Sequence, residues 1–431
     1  MSDTLAVPGI DEFIASVRKL APRVPGPDQA PERFAVDGIT PAVVVAAADA
    51  GAVRAVLREA QHAGLSVIAI GGGQHLGTGN RPVAYDVALS LGAMRAVLAH
   101  EPADMTVTVE AGVRLADLNL MLSQHGQMLP LDPPCDPEAT VGGVLAANAF
   151  GPLRHAFGTA RDWLIGGRLA HADGGASKSG GRVVKNVTGY DMHKLYIGSL
   201  GTLGVITEAT FKLAPTPRAG RTLVAPFAAA RDACDAVLAA HGAGLALYAA
   251  DVLSPHAAGV VCGDARWTAV VRVAGGEAAV TRTLRDLPRH AGGATFEEHA
   301  DDLWARWAQA FRPSHISLRT TVLPATVGAA LDALDRSGQV GSPMLLAATV
   351  TAGVIRAQVA AGPGDTAAIA PTREIVSVHG GTVVLDSAPP GIKDALDVFG
   401  PPRADLAIMR RLKQQFDPRG TLSPGRFAGR L

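Results

Sequence analysis

The sequence predicts an α+β protein of two unlike parts, and three observations carry that reading. Glycine-rich loops crowd the first half, around 71–79, 139–151 and 198–204. From Arg221 onward they give way to alternating strand and helix patterns with few such loops. A tail after residue 404 is punctuated by Pro and Gly in a way that turns a chain back on itself. The boundaries this predicts are a lead-in at 1–37, a first domain at 38–217, a second at 218–400, and a segment at 401–431 returning to the first domain. At 431 residues the chain has room for such a division.

Composition narrows the function. Thirty-nine Lys and Arg balance 39 Asp and Glu, so no basic footprint for nucleic acid is present. Cys135, Cys234 and Cys262 are too far apart for a disulfide framework or an iron–sulfur cluster. The 13 histidines are scattered, and no metal site is expected. The N-terminus carries Asp3, Asp11 and Glu12 without an apolar stretch, and no uncharged apolar run reaches membrane-spanning length. The expected compartment is the cytoplasm, where the Asn186-Val187-Thr188 sequon carries no meaning.

Residues 42–47 read as a buried strand. Asp49 caps the following helix, which places Val53, Val56 and Leu57 on one face and stops at Gly64. Residues 66–70 form a second strand that runs into Gly71-Gly72-Gly73-Gln74-His75-Leu76-Gly77-Thr78-Gly79. A β-α-β unit ending in glycines offers backbone N–H groups to phosphate. It is not the dinucleotide fingerprint: Leu76 stands where a third Gly belongs, and Asn80-Arg81-Pro82 opens no helix. Strands near 87–91 and 105–110 and a helix near 115–125 lead to the extended Leu129-Pro130-Leu131-Asp132-Pro133-Pro134. The run 139–151 reads as a turn and a helix opening at Gly142-Gly143, whose bare N-terminus suits a pyrophosphate.

The densest stretch is 182–216. Gly198, Gly201 and Gly204 recur every third residue ahead of the strand Val205–Phe211, so a tight loop brings bare backbone close to a ligand. Beyond it come strand 221–227, helix 228–241, strands 246–253 and 267–274, and helix 276–290. Strand 316–323, helix 326–337, strands 343–350 and 353–360, helix 365–378 and strand 382–386 follow. This predicts an antiparallel sheet with helices on one face and a weak β-α-β-β-α repeat. Trp304, Trp307 and Phe311 recur at helical spacing, which suits packing first and a pocket wall second.

Five stretches in this order (GGGQHLGTG, LPLDPP with ATVGGVLAANAFGP, GTARDWLIG, GGRVVKNVTGYDMHKLYIGSLGTLGVITEATFKL and LKQQFDPRGTLSPGR) resemble the FAD-binding PCMH-type family of p-cresol methylhydroxylase and vanillyl-alcohol oxidase. The likeness covers 38–217 and 404–426 and is strongest toward the FAD-binding subunits E of glycolate oxidases. It implies a PCMH-type two-subdomain FAD fold with an α+β, ferredoxin-like cap. By that resemblance Gly71, Gly72, Gly73, Gln74 and His75 wrap the pyrophosphate, and Thr140, Gly142 and Gly143 approach the flavin and its phosphates. Asn148, Gly151 and Gly158 line the same cleft, Gly204, Val205 and Ile206 hold the adenosine end, and Pro133, Ala139 and Asp162 complete the set.

Two departures matter. Gln74 stands where family members with covalent flavin often carry His, so non-covalent FAD is expected. Ser423 replaces the Asn of the family's tail motif, which puts any flavin contact from it in doubt. The His cluster of catalytic relatives is missing, since His290, His299, His315 and His379 occur singly, and no catalytic residue is assigned. Arg319, on an apolar strand pattern, is the candidate clamp for a substrate carboxylate, with a structural ion pair or an edge-strand position as the alternative reading. The resemblance implies a flavoprotein subunit that takes part in oxidising glycolate, a small 2-hydroxy acid, at its CH–OH group. The implied partners are a larger FAD-binding subunit and an iron–sulfur subunit, with peripheral association at the inner face of the plasma membrane through that complex. The rival readings are a stand-alone FAD oxidoreductase of another alcohol or hydroxy acid, and a flavin-holding assembly subunit.

Overall fold

A computed structural model describes residues 9–20, 30–134, 137–182, 189–300, 302–340, 344–360 and 365–431. Cys135, the sequon and the stretch 183–188 lie outside the described residues.

The first part of the chain builds two larger sheets and a two-stranded one that pairs Gln127–Met128 with Ala214–Pro215. A parallel sheet sets Val87–Ser90 between Val43–Ala46 and Val67–Ile70. The helix Ala50–Ala63 covers it through Val53, Val56, Leu57 and Ala60, all buried. That helix begins where expected: Asp49 accepts from the Ala52 N–H at 2.8 Å, and Gly64 ends it at φ 70°. A five-stranded antiparallel sheet follows, in the order Val97–Glu101, Thr106–Glu110, Val205–Lys212, Leu164–Ala170, Ala176–Gly180. Its core is closed by Leu115, Leu118 and Leu122 of the helix Leu115–Ser123 and by Val141, Val144 and Leu145 of Val141–Ala147.

The second part forms one eight-stranded antiparallel sheet, the cap. It is a duplication. Ala219–Phe227, Leu247–Leu253, Trp267–Gly275 and Glu297–His299 form one β-α-β-β-α-β unit, and Ile316–Thr321, Met344–Thr349, Val354–Val359 and Thr382–Ser387 form another. In each unit the spatial order is fourth, first, third, second strand, and the two units join through their second strands, where Val252 pairs with Ala348 and Leu253 with Ala347. The helices Ala230–Gly242, Glu277–His290, Val327–Val340 and Ile369–Val378 pack one face in the large cap core.

The opposite face differs from the one-sided layer the sequence suggests. Two further helices, Pro255–Val261 and Leu303–Ala310, cover part of it, with Leu253, Val261, Val270, Trp307 and Phe311 between them. The first has seven residues, too few to display a helical period, and is opened by the Ser254 cap and Pro255. The remainder of this face turns toward the first part of the chain. The short helix Arg154–Phe157 packs against Leu247–Leu253, and His155 Nδ1 lies 2.9 Å from Thr351 Oγ1.

The tail does turn back. After the helix Leu406–Phe416, the segment 421–423 lies along Val67: the Val67 N–H donates to the Thr421 carbonyl at 2.7 Å and the Ser423 N–H to the Val67 carbonyl at 2.9 Å.

Candidate FAD cleft and cap cavity

A cleft opens between the parallel sheet, the helix Val141–Ala147 and the loop 198–204. Three segments come together here because glycine lets them. A Cβ on Gly71 would stand 2.0 Å from Thr140 Oγ1, one on Gly72 would stand 1.9 Å from the Glu138 carbonyl oxygen, and one on Gly142 would stand 2.8 Å from Ala111 Cβ. Gly73 adopts φ 75°, which turns the loop away from the strand that feeds it. Thr140 caps the helix by accepting from the Gly143 N–H at 3.3 Å.

Of the residues singled out from sequence, Gly71, Gly72, Gly73, Gln74 and His75 line the cavity. Ala139, Thr140, Gly142, Gly143, Gly204, Val205 and Ile206 line it too. Five others stand elsewhere. Asn148, the left-handed C-cap of Val141–Ala147 at φ 48°, borders a second cavity toward the cap. Pro133 borders a third, beside Trp304 and Trp307. Gly151 lies against Asp132, whose Oδ1 accepts from its N–H at 3.1 Å. Gly158, at φ 72°, ends the helix Arg154–Phe157, and Asp162 accepts from the Thr159 N–H at 2.8 Å in a capping box.

Gly201, expected in the tight loop, lines the cleft; the sequence reading did not reach Leu200 and Arg426 in the cleft wall, nor Arg356 and Asp386 in the second cavity. That cavity is bordered by His75, Asn148, Phe150, Arg319, Arg356 and Asp386. Arg319 is held by Asp386: its Nε donates to both carboxylate oxygens at 3.1 and 3.0 Å, and its Nη2 to Oδ1 at 3.0 Å. Arg356 Nη1 is 3.9 Å from the same carboxylate, and its Nη2 donates to the Phe150 carbonyl. Both guanidiniums lie over the Phe150 ring, at 5.6 and 4.9 Å from its centre. The Asp386 carboxylate holds Arg319 above its ordinary range, while burial pulls Arg356 down to about 10. Both stay cationic at neutral pH; Asp386 holds Arg319, and Asp386, Asp251 and Asp132 all act on Arg356.

His75 belongs to both cavities. Its Nε2 is buried without a hydrogen-bond partner, and burial holds its pKa below the usual imidazole value. A neutral ring with a vacant nitrogen can take a proton at that point. Behind Arg356, on the far side of the junction, burial pushes Asp132 up to about 7 and Asp251 up to about 6.

Comparison with known proteins decides what the cleft is for. Residues 41–179 match the family model described as an FAD binding domain, and residues 402–427 match the C-terminal domain of FAD linked oxidases. The chain carries an FAD-binding domain. Its cleft fits that cofactor in this structure: backbone approaches that a single Cβ would block, an orphaned imidazole nitrogen, and the family's tail segment built into the wall.

The FAD-binding domain has curated relatives. The chain is 40% identical over 130 residues to the glycolate oxidase subunit GlcE of Escherichia coli, covering 30% of this chain and 37% of that protein. It is 36% identical over 167 residues to a mitochondrial D-lactate dehydrogenase [cytochrome] of Arabidopsis thaliana, covering 39% of this chain and 29% of that one. The matched stretches thus span well under half the length of these relatives. Along nearly its whole length the chain shares the fold of p-cresol methylhydroxylase, with a TM-score of 0.74 at 15% identity over 99% of this chain and 98% of that one. The α+β architecture, with FAD domain and cap, is therefore that of PCMH-type flavoproteins.

Proposed function

We propose that this chain is an FAD-dependent oxidoreductase acting on the CH–OH group of a small 2-hydroxy acid. In this reading it works as a flavoprotein subunit of a glycolate-oxidising complex. The observation that carries the proposal is the cap cavity, where two guanidiniums share one carboxylate beside a histidine that also borders the FAD cleft.

A 2-hydroxy acid needs a cation for its carboxylate and an acceptor for its hydroxyl proton. Arg356, held less closely by Asp386 than Arg319 is, supplies the first, and Arg319 completes the pair. His75 supplies the second at Nε2. Bound FAD supplies the hydride-accepting chemistry. The groups lie between cap and FAD domain, where the flanking low-dielectric protein strengthens each electrostatic contact. Sequence similarity to glycolate oxidase subunits and D-lactate dehydrogenases supports the substrate class, and similarity to GlcE, a subunit by name, supports a multi-subunit complex; this reading takes the partners to be a larger flavin subunit and an iron–sulfur subunit. No described helix is long and apolar enough to cross a membrane. As part of the same proposal, the chain works in the cytoplasm and reaches the inner membrane face through its partners.

The deciding experiment is a visible spectrum of the purified chain, repeated anaerobically with added glycolate and then with D-lactate. Bound flavin that bleaches establishes oxidation of a 2-hydroxy acid by the chain alone. Flavin that bleaches only after the partner subunits are added establishes the complex-dependent subunit. Flavin that stays oxidised throughout turnover of the assembled complex favours a flavin-holding role instead. Protein that cannot be reconstituted with FAD removes the proposal altogether.

A further inference from the structure

Among the described residues that line the FAD cleft, one is a Lys, Arg, Asp or Glu, and it comes from the far end of the chain. Arg426 is 3% exposed. Its Nη2 donates to the Leu76 carbonyl at 2.8 Å and to the Thr78 carbonyl, so the guanidinium is fixed against the glycine loop. Its own carbonyl accepts from the Asn80 N–H at 3.0 Å, and Gly79 is so close to that carbonyl that a Cβ would meet it at 2.6 Å. The other terminal nitrogen, Nη1, is buried and has no hydrogen-bond partner.

A buried cationic donor without a partner is costly. The carboxylate that acts on Arg426, Asp37, already accepts from the buried Lys393 at 2.8 and 3.0 Å. The cofactor's diphosphate has the complementary need, because backbone N–H groups solvate its oxygens but leave two negative charges in a low-dielectric cleft. We propose that Arg426 is the counter-cation of the FAD diphosphate, donating from Nη1, so that cofactor binding and docking of the C-terminal tail are one event. The proposal rests on the FAD reading of the cleft. The tail is placed for it, since residues 421–426 are already hydrogen-bonded to Val67, Asn80 and Val83.

The test uses the full chain stripped of flavin. Affinities for FAD and for ADP, which keeps the diphosphate and lacks the flavin ring, are measured for wild type, R426Q and R426K, with melting of each apoprotein as the check on folding. Expected is a loss of roughly 10- to 100-fold for both ligands in R426Q, with partial recovery in R426K. In wild type, either ligand should slow hydrogen exchange at residues 421–426. R426Q holding FAD within about twofold of wild type overturns the proposal. Loss of FAD with unchanged ADP binding also overturns it, because the guanidinium then serves the ring. If R426Q does not fold, wild-type exchange decides: no slowing of the tail by FAD or ADP overturns the coupling. A wild-type chain that takes no FAD under any condition is a different result, one that removes the cofactor reading itself.

Discussion

Arg319 and Arg356 lie directly opposite one another on neighbouring strands of the cap sheet. Like charges in that register repel, and Asp386, bonded to Arg319 and 3.9 Å from Arg356, answers for both. Under the proposed function Arg356, held less closely by Asp386 than Arg319 is, meets the substrate carboxylate, and R356M is expected to weaken binding of the proposed 2-hydroxy acid by roughly tenfold or more. R319M should instead lower the melting temperature, because it strips Asp386 of its bidentate partner. Titration of the flavin spectrum with substrate, alongside melting curves, separates the two outcomes.

The cleft depends on Gly71 and Thr140 touching. G71A sets a Cβ 2.0 Å from Thr140 Oγ1, and FAD retention on a desalting column should fall sharply. T140A alone should cost about 1 kcal/mol through the lost helix cap. In the double variant it should restore part of the FAD binding that G71A removes. A double variant no better than G71A would show that the contact is not what limits the site.

Stability should have two opposed pH limbs at the junction of FAD domain and cap. Burial raises Asp251 to about 6 from 3.8, and its contribution is full below the unfolded value and is lost as pH rises through the folded one. His155, buried beside His241, is lowered to about 4 from 6.5, so its contribution is full above the unfolded value and is lost as pH falls through the folded one. D251N should accordingly gain on wild type in melting temperature between about pH 4 and about pH 6, and H155Q should gain on it from about pH 6.5 down to about pH 4. Melting curves across that range, with parallel traces for variant and wild type, would remove the assignment.

Lys413 joins the tail helix to the glycine loop behind the cleft. Its Nζ donates to Asp417 at 2.7 Å, to the Thr202 carbonyl at 2.9 Å and to the Leu422 carbonyl at 2.8 Å. The Asp417 side chain is fully buried, so K413M leaves a buried carboxylate without its cation and should cost about 3–5 kcal/mol in denaturant unfolding.

Gln74 donates from Nε2 to the Gly72 carbonyl at 3.2 Å and accepts from Arg312 at 2.9 Å. An amide in that place forms no bond to the flavin. Acid precipitation of the holoprotein should leave all the flavin in the supernatant, and yellow pellets would contradict non-covalent binding.

The local parts of this molecule were legible because each rests on residues close in sequence. Asp49 and Gly64 bracket a helix, Gly71–Gly73 end a strand, and the glycines at 198, 201 and 204 precede Val205–Lys212. The remainder depends on register and on chain return. Arg356 and Asp386 meet Arg319 only because three strands pair with a particular alignment, which no spacing in the sequence discloses. Arg426 reaches the loop at Leu76 across 350 positions, and its role depends on where the tail comes to rest.

The seam between the two cap units relates two register positions that carry different chemistry. Carrying the strand pairing through the seam at Val252 and Ala348, the place of Arg356 in the second unit falls to Val270 in the first, and that of Arg319 to Val224. The two valines are neighbours just as the two arginines are, and they are sealed beneath Pro255–Val261 and Leu303–Ala310. In the first unit this place seals the sheet against two helices, and in the second it opens on the cavity beside the FAD domain.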